Sequence, residues 1–585
     1  MSAPFVVPDV SGSLRTAVLG AGTMGRGIAQ LLLQAGCAVT LIDPRAAALA
    51  DAERQLKQVF EMLHGKGRNL EPPAELLARL ETATELATAA GVDWLFEAAP
   101  EDLALKRRLF AEASEIAPMA VLATNTSTLS VTAIAAAAKR PEAVVGMHFF
   151  NPPGIMQLVE VVPGTLTLPT VVKAATELAR RLGRQPVVAK DSPGFIVNRL
   201  ARAYYLEALR LHASGVPVQQ LDSLMRAAGF RQGPFELLDL IGLDVNLAAS
   251  IGVYRAFFEE PRFRPHPLQQ TMVTAGLLGR KSGRGFYRYD EQGAKTDPLT
   301  AVEQPAVAPT SSATSARALR LAVVGDNSAA RQLLAMVAAS AGGAVTVAAS
   351  GSEADVIFDA RLEPQLGERD SGVAGERARW LAQGADLAVL CWGHSASLLA
   401  GSLQASAYPG NLCGFSVVPG APPETATVEL FAPLMPDDSR GSGPAINALR
   451  TQLRSSGIET EIVPDAAGGV SFRVVALLAN EAISALADGL AAAPQLDLAM
   501  RLGVNYPRGP LAWAEIIELP ALRSALAGMH DEAPTGIYAP HGLLTKFAAA
   551  GVKTLGAGGS TEQLYEMEPR NEDYPTADGE DVDDS

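Results

Sequence analysis

The stretch LRTAVLGAGTMGRGIAQLLLQAGCAVTLID (residues 14–43) reads as an apolar strand, a glycine-rich turn, an amphipathic helix and a second apolar strand. This order predicts a βαβ unit. Further apolar strands follow at 92–99, 120–127 and 143–150, separated by helical patterns. Strands that alternate with helices predict an α/β Rossmann-type domain with a parallel, doubly wound sheet.

The turn of this unit carries Gly20, Gly22 and Gly25 in the spacing GxGxxG, and Asp43 ends the next strand. In that context the motif predicts a dinucleotide site, because glycines allow a tight turn, close approach of a pyrophosphate, and close packing of helix on strand. An acid at the position of Asp43 accepts hydrogen bonds from ribose hydroxyls and repels a 2'-phosphate, which favours NAD as the cofactor. Arg45 lies close by and leaves NADP open.

Beyond the first sheet, helical periodicity replaces the strand pattern, and a stretch rich in Pro, Ala, Ser and Thr follows. The whole order then restarts, which predicts a degenerate duplicate of both domains. The predicted boundaries are a NAD-binding domain with a helical excursion at 14–189, an all-α domain at 190–290, a linker at 291–316, a degenerate Rossmann-like domain at 317–463, a second helical domain at 464–552, and an acidic, disordered tail at 553–585.

One strand-end histidine is the candidate base of the first copy. His148 lies in GMHFFNPPGIMQLVEVVPG (146–164), where the next predicted strand carries Glu160 back past it. A carboxylate behind one ring nitrogen fixes the tautomer and leaves the other nitrogen to take a proton from a substrate hydroxyl. With a hydride acceptor at the same sheet edge, the pair predicts an alcohol dehydrogenase without a metal, since the Cys and His spacing of a zinc site is missing from the sequence.

The matching stretch of the second copy, GFSVVPGAPPETATVELFAP (414–433), has Ser416 where His148 stood. Asn327 replaces Gly22, and Phe472 replaces Asn198. Because the residues for NAD and for proton transfer are lost together, we expect a copy kept for structure. Binding of a regulator or a partner enzyme by this copy stays open.

Eight motifs carry a resemblance to a known family: GAGTMGRGIA, EAAPEDLALK, ATNTSTLS, GMHFFNP, LVEVV, DSPGFIVNRL, GPFELLDLIGLDV and KSGRGFY. Over residues 14–290 the chain resembles the NAD-dependent (S)-3-hydroxyacyl-CoA dehydrogenases. The resemblance implies reversible oxidation of a 3-hydroxyacyl-CoA to the 3-ketoacyl-CoA, with His148 and Glu160 as the base, and Ser127 and Asn198 holding the substrate oxygen. It also implies NAD contacts at Glu101, Lys106, Ser127, Asn151 and Lys281, and CoA contacts at Ser127 and Lys66.

The long bacterial members that this chain resembles, with a degenerate second half, are associated with short or dicarboxylic substrates. These include 3-hydroxybutyryl-CoA and the 3-hydroxyadipyl-CoA of phenylacetate breakdown. Because the helical domains of the family pair, usually across a dimer, we expect the second helical domain to supply that partner within one chain. Further oligomerisation stays open.

Two other functions remain alternatives at this stage. One is a dehydrogenase of a free hydroxy acid or sugar acid from the same superfamily, and the other is a non-catalytic protein that binds NAD or acts as a scaffold.

The composition of the chain limits its partners and its compartment. The 585 residues carry a net charge of -15, which argues against a nucleic-acid partner because phosphate contacts need clustered Lys and Arg. Three cysteines without a pairing framework predict a reducing, cytoplasmic location. The first residues lack a signal-peptide pattern, and no apolar run reaches the roughly 18 residues of a membrane span, so we expect no membrane partner.

Overall fold

The computed structural model describes residues 5–68, 71–298, 319–340, 345–362, 371–402, 412–433 and 444–556. The described chain divides into two compact units. The first unit holds the residues up to Arg199 together with Ala485–Val504, and the second holds Leu200–Ser484 together with the residues from Asn505 onward.

The first unit is built on a sheet of eight strands with helices between them. Its elements are β1 (Arg15–Leu19), α1 (Thr23–Gln34), β2 (Ala38–Ile42), α2 (Ala46–Gly65), α3 (Pro73–Leu77), β3 (Leu80–Ala83), β4 (Trp94–Glu97), α4 (Leu103–Ile116), β5 (Val121–Thr124), α5 (Val131–Ala135), β6 (Val144–Phe149), β7 (Leu158–Pro163), α6 (Pro169–Arg181) and β8 (Gln185–Val188).

The strand order of this sheet is β3-β2-β1-β4-β5-β6-β7-β8, and every pair is parallel except β6 and β7. The central strands are apolar throughout because both faces are covered, and every residue of β4, β5 and β6 is buried. The carboxyl ends of β1, β4, β5 and β6 meet at one edge, where doubly wound sheets bind their ligands. The predicted Rossmann-type domain is confirmed.

A short helix and a set of longer helices follow the first sheet, and α7 contains the last residues of the first unit. The elements are α7 (Val197–Leu200), α8 (Arg202–Ala213), α9 (Val218–Ala227), α10 (Pro234–Ile241), α11 (Leu243–Ala256), α12 (Pro267–Thr274), β9 (Tyr287–Tyr289) and β10 (Lys295–Pro298). Strands β9 and β10 pair antiparallel, so the predicted linker at 291–316 begins inside a hairpin. Its residues 299–316 lie outside the described residues.

The second copy of the sheet lies in the second unit. Its elements are β11 (Leu319–Val324), α13 (Ser328–Ala339), β12 (Val345–Val347), β13 (Val356–Asp359), α14 (Ser371–Ala382), β14 (Asp386–Leu390), α15 (Ala396–Ser402), β15 (Leu412–Ser416), β16 (Val428–Phe431), α16 (Pro444–Ser455) and β17 (Thr460–Ile462). The order β12-β11-β13-β14-β15-β16-β17 repeats that of the first sheet without a counterpart of β3 among the described residues. The predicted duplication is confirmed.

The remaining helices are α17 (Ser471–Ala487), α18 (Ala493–Val504), α19 (Pro510–Ile517), α20 (Leu519–Glu532) and α21 (Gly542–Ala549). Helix α18 packs on β7 and β8 of the first sheet and belongs to the first unit. The predicted domain at 464–552 therefore does not stay in one unit, because residues 485–504 bury their apolar side against the first sheet. Most of the predicted tail, from residue 557, lies outside the described residues.

In the part of the chain that the structure describes, no single helix is long and apolar enough to cross a bilayer; α10 and α11 reach that length and hydropathy only as a pair bent by 99°. Cys37, Cys391 and Cys413 are buried cysteines, and the structure places no disulfide between them.

Candidate active site

The glycine turn after β1 has the features of a phosphate cradle. Gly20 has a φ of +102°, and a Cβ there would lie 2.7 Å from the Ala98 carbonyl oxygen. A Cβ on Gly25 would overlap the Gly20 carbonyl oxygen. At Gly22, in contrast, a Cβ would meet no atom within 4 Å, and no side chain caps the first turn of α1. The turn thus presents open space to the free N–H groups of a helix N-terminus, which suits a pyrophosphate.

Asp43 lies beside this turn with its carboxylate almost fully buried. Its oxygens accept hydrogen bonds from the backbone N–H of Ala21 at 3.0 Å and from the Arg45 side chain at 3.0 Å. The hydrogen bonds from Arg45 lower the pKa of Asp43 to about 2, so the acid is charged at neutral pH. The Arg45 side chain is 71% exposed, so this ion pair lies at the surface on the arginine side.

His148 and Glu160 face each other across β6 and β7, the antiparallel pair of the sheet. The distance from His148 Nδ1 to Glu160 Oε2 is 2.6 Å, and both side chains are buried. With Glu160 ionised, Nδ1 carries the proton and donates a hydrogen bond to the carboxylate, which leaves Nε2 as an acceptor. The structure thus brings together the two residues that the sequence singled out as a base.

The other oxygen of Glu160 is held by the backbone that opens α7. It accepts hydrogen bonds from the N–H groups of Ile196 at 2.9 Å and Val197 at 3.0 Å. Phe195, just before them, adopts a left-handed φ of +46°, a conformation that costs a non-glycine residue energy and that concentrates at functional sites. The ring of Phe195 lies 5.8 Å from that of His148. The carboxylate is therefore fixed in place before any substrate arrives.

Ser127 and Asn198 complete the group around the imidazole. Ser127 Oγ lies 3.1 Å from His148 Nε2, and Asn198 Nδ2 lies 3.5 Å from the Ser127 carbonyl oxygen. A hydroxyl next to Nε2 and an amide next to the same serine are suitable groups to hold a substrate oxygen. Ser127, His148, Glu160 and Asn198, chosen from separate parts of the sequence, all lie in the first unit.

A hydrogen-bond network holds the loop that carries Ser127. Glu101 Oε1 accepts hydrogen bonds from the backbone N–H groups of Ser127 and Thr128, both at 2.9 Å. Burial opposes ionisation of Glu101, but the charge of Lys106 and these hydrogen bonds lower its pKa overall. Lys106 is itself buried and reaches Glu97 at 2.6 Å and the Ala99 carbonyl oxygen at 3.2 Å. In this structure Glu101 and Lys106 support the Ser127 loop, and their contacts with NAD stay predictions.

Sequence reasoning missed two residues of this support. Glu97 is fully buried and accepts hydrogen bonds from Lys106 and from the Thr124 hydroxyl, the latter at 2.7 Å. Asn125 Oδ1 accepts a hydrogen bond from the Phe149 N–H at 2.8 Å, which ties the Ser127 loop to β6. An acid at the end of an otherwise apolar strand was the signal that could have identified Glu97.

The remaining predicted binding residues lie at the surface. Asn151 follows β6 and precedes a cis peptide bond to Pro152. Lys66 is exposed at the end of α2. Lys281 belongs to the second unit, where its ammonium lies 2.6 Å from the carboxylate of Asp244. These three residues stand outside the hydrogen-bonded group around His148, and their roles in binding NAD or CoA stay predictions.

The second copy keeps the positions of the His148–Glu160 pair without the imidazole. Ser416 and Glu429 oppose each other across β15 and β16, in the same register as His148 and Glu160. Ser416 Oγ donates to the Gly468 carbonyl oxygen at 3.1 Å. Phe472, the counterpart of Asn198, stacks on Trp392 with ring centroids 4.1 Å apart. Aromatic packing thus occupies the place of a polar site.

The turn that would bind phosphate in the second copy is closed. Asn327 Oδ1 accepts a hydrogen bond from the Ala330 N–H at 3.0 Å, so the first turn of α13 is capped by its own side chain. The backbone of α20 packs directly on the end of β14, where Gly528 meets Gly393 so closely that a Cβ on Gly528 would overlap the Gly393 carbonyl oxygen. The described residues of this copy therefore offer no open counterpart of the Gly22 cradle.

The first unit, with its doubly wound sheet, its open glycine turn, and its acid at the end of β2, has the architecture of NAD-binding dehydrogenases. Comparison with known proteins identifies the family. The family model of the 3-hydroxyacyl-CoA dehydrogenase NAD binding domain matches residues 15–192, and that of the C-terminal domain matches residues 194–289 and again 468–561. The chain belongs to the 3-hydroxyacyl-CoA dehydrogenase family and is an NAD-dependent oxidoreductase acting on CH–OH groups.

Individual relatives agree with this assignment. The chain is 35% identical over 536 residues to the 3-hydroxyadipyl-CoA dehydrogenase of Escherichia coli (strain K12), an alignment that covers 91% of this chain and 97% of the relative. It is 38% identical over 282 residues to the 3-hydroxybutyryl-CoA dehydrogenase of Clostridioides difficile, or 48% of this chain and 100% of the relative. The crystal structure of 3-hydroxybutyryl-CoA dehydrogenase from Escherichia coli K12 superimposes with a TM-score of 0.71 at 32% identity, covering 92% of this chain and 99% of that one.

Proposed function

We propose that this enzyme oxidises short-chain or dicarboxylic (S)-3-hydroxyacyl-CoA thioesters reversibly to 3-ketoacyl-CoA, with His148 as the general base. The observation that carries the proposal is the 2.6 Å contact between His148 Nδ1 and Glu160 Oε2, which leaves Nε2 beside Ser127. NAD, when bound at the Gly22 cradle, supplies the hydride acceptor.

The roles of the side chains follow from their positions. Nε2 of His148 takes the proton of the C3 hydroxyl, and Glu160 stabilises the imidazolium that forms. Ser127 and Asn198 donate hydrogen bonds to the C3 oxygen as it becomes a carbonyl oxygen. In the reverse direction the same imidazolium returns the proton.

The proposed substrate class draws on the relatives whose names specify 3-hydroxyadipyl-CoA and 3-hydroxybutyryl-CoA. A kinetic panel with NADH absorbance as readout tests it, using C4, C6, longer and ω-carboxyl CoA thioesters. We expect the highest kcat/KM for a C4 or an ω-carboxyl C6 thioester. A preference for long acyl chains would contradict the proposal. A place in β-oxidation or phenylacetate degradation, and a cytoplasmic location, stay predictions.

The same panel separates the alternative of a free hydroxy acid or sugar acid. We expect free 3-hydroxybutyrate to turn over at least about 10³-fold less efficiently than its CoA thioester, because binding energy from the remote CoA positions the reacting carbon. Equal efficiency for the free acid would favour the alternative.

We also propose that the second helical region acts as an intrachain partner of the first. Within the second unit, the buried carboxylate of Glu207 on α8 pairs with Arg473 of α17 at 2.7 Å and accepts a hydrogen bond from the Tyr538 hydroxyl at 3.0 Å. Phe230 stacks on Trp513 at 5.2 Å between centroids. Sedimentation equilibrium tests the proposal, and we expect Glu207→Ala to lower stability without dissociating an oligomer. A loss of subunits in that variant would contradict it.

A further inference from the structure

Residues 488–504, in the second half of the sequence, contact residues 190–199. That segment contains Asn198, and its backbone N–H groups at 196 and 197 donate hydrogen bonds to Glu160. The backbone carbonyl oxygen of Leu490 accepts a hydrogen bond from the Lys190 N–H at 2.8 Å. The carboxylate of Asp488 accepts one from Arg199 Nη2 at 2.7 Å. Lys190 and Arg199 flank residues 191–198, so both ends of that segment are attached to the second half.

The ion pair between Arg199 and Asp488 involves a buried positive charge. The Arg199 side chain is fully buried and directly follows Asn198, whereas the Asp488 side chain is 51% exposed. A buried guanidinium needs charged or polar partners, and loss of one partner is costly because the remaining charge is poorly solvated. Asp488 therefore helps to fix the main chain at the position next to Asn198.

Helix α18 supports the other side of the same segment. A Cβ on Gly503 would lie 2.8 Å from Val197 Cγ2 and 2.9 Å from Leu158 Cδ2. Val197 supplies one of the two N–H groups that hold Glu160, and Leu158 lies two residues before Glu160 on β7. A residue with a Cβ at position 503 would have to displace these side chains or move the helix away from them.

We propose that residues 488–504 form a positioning element of the active site. In this element, Asp488 and Gly503 keep residues 191–198 and β7 in the correct position relative to His148. Neither residue touches a reacting atom; both act through Glu160 and Asn198. The inference rests on the proposed role of His148 and Glu160, and it assigns a task to the second half that its loss of NAD-binding residues does not suggest.

The test is a single-turnover measurement on the full-length chain with bound NADH and acetoacetyl-CoA as the probe. Gly503→Val is expected to lower the rate constant of NADH oxidation about tenfold at unchanged amplitude, because a displacement of a supporting group slows the chemical step in every molecule. The matched control is Gly542→Val in the same half, where a Cβ meets no atom within 4 Å. We expect this control to keep the wild-type rate constant.

A purely structural role would reduce the amplitude, which counts competent molecules, and leave the rate constant unchanged; that result, or a wild-type rate constant, overturns the inference. If Gly503→Val does not fold, Asp488→Asn is measured instead. We expect its rate constant to be roughly threefold lower than that of the wild type, and Asp488→Glu to recover the wild-type rate constant. Wild-type protein that fails to oxidise NADH with acetoacetyl-CoA would instead refute the proposed function.

Discussion

The two copies of the sheet hold matching carboxylates by similar backbone hydrogen bonds, although only the first copy has a histidine opposite its strand glutamate. Glu160 accepts hydrogen bonds from two consecutive N–H groups at 2.9 and 3.0 Å, and Glu429 does so at 2.6 and 2.8 Å. Asp191 binds the first N–H groups of α5, and Asp465 those of α15. These four acids therefore serve the fold in both copies.

What differs between the copies is the set of groups that the proposed mechanism places against a ligand. His148 becomes Ser416, Asn198 becomes Phe472, and the open turn at Gly22 becomes the self-capped Asn327. A buried carboxylate at this position is therefore insufficient evidence for catalysis. Under the proposed mechanism, the imidazole, the amide and the uncapped helix end carry the function.

The largest expected effect comes from removing the imidazole. His148→Gln keeps a hydrogen-bonding side chain of similar size but cannot act as a base, so we expect kcat to fall about 10³-fold or more. Steady-state kinetics with a C4 thioester measures this loss, and the thermal midpoint should stay close to that of the wild type. Near-normal turnover would show that His148 is not the base, and the main proposed difference between the two copies would be lost.

Replacing the matched carboxylates separates their shared role from the catalytic one. Glu160→Gln should lower kcat roughly 10²-fold, since the imidazolium loses its charged partner. Glu429→Gln, the matched control in the second copy, should leave kcat within about twofold because no proton moves there. A comparable loss of activity in both variants would mean that Glu160 acts only through the fold.

A single residue of the closed turn can be transferred to the open one. Gly22→Asn should weaken NAD binding about tenfold, or about 1.4 kcal/mol, by filling the space left for phosphate. The same change should leave stability unchanged or raise it by a few tenths of a kcal/mol, because Asn is a good N-cap. Calorimetric titration measures the affinity, with Gly12→Asn as the control in open space. Unchanged affinity for NAD would contradict the proposal that the phosphates bind at the Gly22 turn.

The pH dependence of stability should distinguish Glu429 from its glutamine variant. Burial raises the pKa of Glu429 above the ordinary glutamate value of 4.5, and hydrogen bonds from Ser471 and Val470 only partly offset this. Because the folded-state pKa is raised, the protonated acid contributes its full stability below pH 4.5, and this contribution is lost as the pH rises through the folded-state pKa. Glu429→Gln should therefore gain stability relative to the wild type as pH rises from about 4.5, as measured by urea unfolding. A difference in unfolding free energy between the two proteins that stays constant across that pH range would contradict a raised pKa for Glu429.

The smallest expected effect on activity is that of restoring the missing histidine. Ser416→His in a His148→Gln background should recover no turnover, since the turn at Asn327 is capped and the end of β14 is covered. The larger ring should also destabilise the buried position by about 1–3 kcal/mol. Turnover above that of His148→Gln alone would show that the second copy still binds its cofactor.

Much of this arrangement could be predicted from the sequence because its signals are local. Gly20, Gly22, Gly25 and Asp43 lie in one βαβ unit, and His148 and Glu160 face each other across one antiparallel strand pair. Local pattern could not predict where residues 485–504 pack, since their partners lie some three hundred positions away. The buried pair of Glu97 and Lys106 was missed for another reason: charged residues in a sequence read as exposed unless their partner is known.

The discontinuous first unit has a consequence for the order of synthesis. Its sheet is finished early in translation, yet α18 emerges from the ribosome only after more than half of the chain has followed β8. Contacts between segments so distant in sequence form late. Until then, the part of β7 and β8 on which α18 packs stays uncovered. We expect a gene split at the linker to yield an amino-terminal fragment that aggregates unless its missing half is co-expressed.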